Sequence, residues 1–74
     1  MSSPTEAIRE QLMATDSEYQ RLCREHTRYD SELDQLTSKS YLSEQERLEE
    51  VRLKKLKLRV KDQMEQLVRQ AQHR

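Results

Sequence analysis

Cys23, His26 and Asp30 are separated by three and four residues, so on a helix they share one side of two adjoining turns. Residues of these types bind metal ions and move protons. A closed structural zinc site takes four ligands, however. The chain has one Cys and two His, the second being His73 at the far C-terminal end. Completing the set would need a second copy, so the sequence assigns no metal and no cofactor. His26 is read instead as a polar residue in an apolar seam, hydrogen-bonded to Asp30 one turn later and fixing the register of the seam. Cys23 reads as a small residue flanking that seam. A lone cysteine forms no intrachain disulfide, and nothing around it dictates thiolate character.

A second group is basic. Arg52, Lys54, Lys55, Lys57, Arg59 and Lys61 lie within ten residues and offer phosphate contacts. They support an alternative reading of the chain as a nucleic-acid- or ribosome-associated accessory protein. Against it, the six cations are expected to fan around most of a helix, and Glu49, Glu50, Asp62 and Glu65 stand beside them. Glu50 and Lys54 form a favourable i,i+4 pair. The segment has no aromatic residue on which a base could stack. A solvated face with ion pairs is therefore the preferred reading. The same lack of aromatics argues against a membrane-surface helix.

Catalysis has little to stand on. The chain has no glycine, hence no phosphate-cradling loop, and no nucleophile next to a base. A two-helix structure leaves no room for a substrate pocket. The expectation is a non-enzymatic protein without a small-molecule substrate.

These residues must be carried by helices. Charged residues make up 38% of the 74 and hydrophobic ones 32%, close to the composition of disordered chains. The apolar residues nevertheless fall at helical intervals among good helix formers, and Pro4 is the single proline. Three capping boxes punctuate the chain: Ser3 to Glu6 with Pro4 at the first helical position, Thr15 to Glu18, and Ser43 to Glu46. Tyr19, Leu22, His26, Tyr29, Leu33 and Leu36 follow a 3-4-3-4-3 spacing, which is a heptad seam. Leu53, Leu56, Val60, Met64, Leu67 and Ala71 form a matching stripe.

The spacing predicts one domain, an all-α, coiled-coil-like antiparallel hairpin of two helices. Residues 16–38 are the first helix and 44–72 the second. A turn at 39–43 lies in the helix-poor tract Thr37 to Ser43. Residues 1–15 form a short N-terminal helical extension, with a kink or joint at Thr15. Folding about the turn pairs Tyr19 with Met64, Leu22 with Val60, His26 with Leu56, Tyr29 with Leu53 and Leu12 with Ala71. Residues 1–43 hold eight acids and five bases, residues 44–74 six acids and nine bases, so balances of −3 and +3 face each other.

Leu48, Val51 and Leu58 do not belong to the seam. Leu48 is expected to pack near Leu33 and Leu36 at the turn. Val51 and Leu58 face water in a lone hairpin. They predict a covering partner, either a second copy in a homo-oligomer or another helical protein. No run approaches the roughly 20 apolar residues of a membrane span, and the N-terminus lacks a signal peptide's basic and apolar regions, so a cytoplasmic location is expected.

The tract Asp16-Ser17-Glu18-Tyr19-Gln20-Arg21-Leu22, followed by His26 and Tyr29-Asp30, resembles the first half of the YdcH-like family of small bacterial proteins. Leu53-Lys54-Lys55-Leu56-Lys57-Leu58-Arg59-Val60-Lys61-Asp62 resembles its second half. The resemblance covers about residues 12–70. It implies a helical hairpin and brings no activity, because the family is a domain of unknown function. Tyr19 stands where that family tends to have Phe, and Tyr29 where it tends to have Leu. Each adds a hydroxyl that needs a partner.

Overall fold

The structure, a computed structural model, describes residues 4–73. It has three helices and, among the described residues, no strand. They are α1 (Pro4–Thr15), α2 (Ser17–Thr37) and α3 (Glu44–Gln72). The molecule measures 47 × 22 × 18 Å. A 29-residue helix is about 44 Å long, so the whole chain lies alongside α3.

Helix boundaries follow from side chains that satisfy free backbone groups. Pro4 opens α1, where its missing N–H costs nothing. The Ser3 capping position lies outside the described residues. Between α1 and α2 the chain does break, but the cap is Asp16 and not Thr15. Asp16 is extended (φ −109°, ψ 113°), and its carboxylate accepts from the Tyr19 N–H at 2.9 Å. Thr15 instead ends α1 by donating its hydroxyl to the Gln11 carbonyl at 2.8 Å. A carboxylate at a helix N-terminus also meets the positive end of the helix dipole, which explains why Asp16 takes the role.

At Ser43 the expected capping box is complete. The Ser43 hydroxyl accepts from the Glu46 N–H at 3.1 Å, and the Glu46 carboxylate accepts from the Ser43 N–H at 3.0 Å. Helix α2 ends without glycine. Thr37 and Ser38 hydroxyls bond back to the carbonyls of Asp34 and Gln35, and the Ser38 N–H donates to Asp34 at 3.0 Å. No described residue has a positive φ.

The main packing is α2 against α3, and α1 touches both. Lys39, in the linker, pairs with Glu46, while Asp30 of α2 pairs with Lys57 farther along α3. At the other end the Gln72 side-chain amide donates to the Thr5 hydroxyl at 3.3 Å. Tyr19 shares a cleft with Met64, and Leu12 shares one with Ala71.

The core consists of Tyr19, Leu22, Leu33, Leu53, Val60 and Val68. Leu22 is the most enclosed, at 1% exposure. Val68 lies outside the expected stripe. It sits one turn before Gln72, at the level where α1 adds a third wall, so the buried arc of α3 widens there. Helix α1 has no fully buried residue of its own.

Candidate functional site

Helix α3 turns about 100° per residue, which sorts its side chains into faces. Leu53 and Val60 point into the core. Leu48, Val51 and Leu58 are 71%, 49% and 59% exposed on the outer side. Leu48 does not pack at the turn. The cleft there is lined by Glu32, Gln35, Leu36, Lys39, Glu49 and Leu53. Five residues separate Leu48 from Leu53, a rotation of about 140° that carries Leu48 away from α2.

Leu48, Val51, Arg52, Lys55, Leu56 and Arg59 together line a shallow groove. Every one of them belongs to α3, so this chain supplies no second wall. Leu56, read from sequence as a seam residue, is half-buried and contributes to both faces. Leu58 is not part of the groove lining. It lies beyond Val51 on the far rim.

The six cations do not fan evenly. Arg52, Lys55 and Arg59 are spaced 3-4 and fall within about 60° of one another, between Val51 on one side and Leu56 on the other. Lys54, Lys57 and Lys61 gather on the opposite flank, within a similarly narrow arc. There Lys57 pairs with Asp30, and Lys54 approaches Glu50 at 4.0 Å. Arg52 meets Glu49 at 2.8 Å. Among the described residues Lys55, Arg59 and Lys61 make no ion pair. The grouping was latent in the 3-4 spacing, which is the same arithmetic that sorts the leucines.

His26 is half-buried in a cleft with Arg9, Tyr19, Lys61, Met64 and Glu65. Asp30 is not its hydrogen-bond partner. The carboxylate goes to Lys57, whose ammonium offers a charge-assisted bond from the facing helix. That bond is the main reason the Asp30 carboxyl is held below its ordinary range, with a lesser contribution from the His26 charge. Burial pushes the Tyr19 phenol up, the neighbouring Cys23 thiol adds to the rise, and Arg9 opposes it. The Tyr29 hydroxyl accepts from Arg28 at 3.4 Å, and the Arg28 guanidinium lies 5.1 Å from the ring centroid, a cation–π contact. Among the described residues no three His, Cys, Asp or Glu side chains come together to hold a metal ion. No described helix is long and apolar enough to cross a membrane.

These features define a small all-helical protein with one apolar and basic face left open. The sequence model of a family of proteins of unknown function, DUF465, matches residues 20–68, and the chain belongs to this family. The YdcH-like resemblance is consistent with that membership. No curated protein and no solved structure matches the chain.

Proposed function

We propose that this protein is a non-enzymatic interaction module, a helical hairpin that holds α3 so that its outer face can receive another helix. The observation that carries the reading is the exposure of Leu48, Val51 and Leu58 on the side of α3 away from the core residues Leu53 and Val60. Covering a fully exposed leucine or valine contributes about 1.5–3 kcal/mol, and these part-covered ones contribute less. Apolar residues at helical spacing on an open face are what a second amphipathic helix lying alongside would cover. The N-terminal helix α1 touches both other helices.

The test is a photo-crosslinking amino acid placed at position 58 in the source cell, with position 24 on α2 as control. The expected result is one or a few discrete adducts from position 58 that vanish with Val51→Lys. Equal labelling from both positions, or adducts indifferent to Val51→Lys, would sink the assignment.

The alternative is nucleic-acid or ribosomal RNA binding through Arg52, Lys55 and Arg59. Arg52, Lys54 and Lys57 are engaged with carboxylates of this chain, which lowers the charge available to phosphates. That alternative predicts affinity that falls steeply with salt as counterions are released.

A further inference from the structure

The outer face of α3 has a composition that selects its occupant. We infer that the occupant is an acidic amphipathic helix of another protein, with its apolar residues on Leu48, Val51 and Leu56 and its carboxylates on Lys55 and Arg59, and on Arg52 in competition with this chain's Glu49. This rests on the docking reading above and adds the partner's chemistry to it.

Charge complementarity is the argument. The three cations recur at a 3-4 spacing, which is the spacing at which a helix lying alongside would present its own side chains. The three cations run along the middle of the groove, between Val51 on one side and Leu56 on the other. Beyond Val51, Leu58 is followed by Asp62 and Glu65, so the face also orients what it binds. Arginine suits the role because its planar fork meets a carboxylate through two parallel hydrogen bonds.

A second copy of this chain fits poorly. A two-fold contact sets a patch against itself. Centred on the groove, it places Arg52 of one copy near Arg59 of the other, with the two Lys55 side chains between them. Sliding the register until Asp62 meets Arg52 sets Val51 against Gln63 and Leu48 against Gln66, and leaves Leu56 opposite Leu58 as the apolar contact that remains. A head-to-tail contact with α2 is no better. Arg21 already engages Glu18 and Glu25, and Arg24 and Arg28 offset Glu32 and Asp34. Nucleic acid would gain from the three cations but nothing from Val51 and Leu56 on either side of them. An anionic membrane would gain little from so narrow an apolar strip without aromatics.

Two labelled synthetic helical peptides test this, sharing one leucine strip. One is flanked by Glu and the other by Lys at the same positions. Both are titrated against the full chain by fluorescence anisotropy. The Glu peptide is expected to bind about tenfold tighter or better, as favourable against like-charge juxtaposition requires. Arg52→Glu, Lys55→Glu and Arg59→Glu combined should reverse the order of the two peptides, a reversal that misfolding cannot produce. Val51→Lys should weaken the Glu peptide severely.

Equal binding of the two peptides, or binding of neither, overturns the inference. So does tighter binding to a DNA duplex or to phosphatidylglycerol vesicles than to the Glu peptide. A dimer in sedimentation equilibrium that Val51→Lys dissociates also overturns it. Where adducts from position 58 persist but the Glu peptide is not preferred, the partner chemistry fails and the docking face stands. Where both are missing, both fail.

Discussion

Glu46 does two jobs with one carboxylate. It closes the capping box at the start of α3 and holds Lys39 of the linker. The Lys39 ammonium, then the Ser43 N–H, holds its carboxyl down at about 2 from an ordinary 4.5. Since the folded value lies below the unfolded one, its stabilisation is complete above about pH 4.5 and is lost as pH falls through about 2. Asp30 is lowered in the same sense by Lys57 and loses its contribution in the same direction. Thermal midpoints followed down through that window should therefore fall more steeply for the native chain than for Glu46→Gln, which is already weakened at neutral pH. Parallel curves would remove Glu46 from the account. Ser43→Ala should cost about 1 kcal/mol, because it leaves the first-turn N–H without its acceptor. Chemical denaturation reads this directly, and an unchanged midpoint would mean water replaces the hydroxyl without loss.

Among the elements, α3 divides the consequences of mutation by face. Leu22→Ala on α2, against the buried side of α3, should cost about 2–5 kcal/mol, a large part of what so small a domain has. Val51→Lys should move the midpoint little, while Leu53→Lys two residues later should abolish cooperative unfolding. Circular dichroism melts of the pair decide the point, and equal damage from both would mean the outer face is covered. This sorting was largely legible in the sequence, because heptad spacing and capping residues act locally and survive translation into helices. Leu22, Leu53 and Val60 were readable in that way. The misreadings share one cause. Leu48, Val68 and the His26–Asp30 pair depend on what lies across from a residue, and spacing within one helix carries no record of that. The outer strip was readable as apolar, but the line of three cations that runs through it needed the six cations sorted by angle.

At the scale of the whole molecule, α1 is the element whose removal is most informative. It has no buried side chain, yet it lies against both other helices at the end where Tyr19 and Val68 are enclosed. A chain beginning at Asp16 should keep its helical content but melt at lower temperature, with hydrogen exchange accelerated around Val68 more than around Leu53. Uniform acceleration would show that α1 supports the entire packing and not one end. The backbone has a further consequence, and it concerns descent. With no positive φ among the described residues, no position there demands glycine or any other special backbone former. What must persist through a lineage is a rhythm of sizes and charges, not a set of fixed letters. Relatives can then differ in many letters and still keep the rhythm.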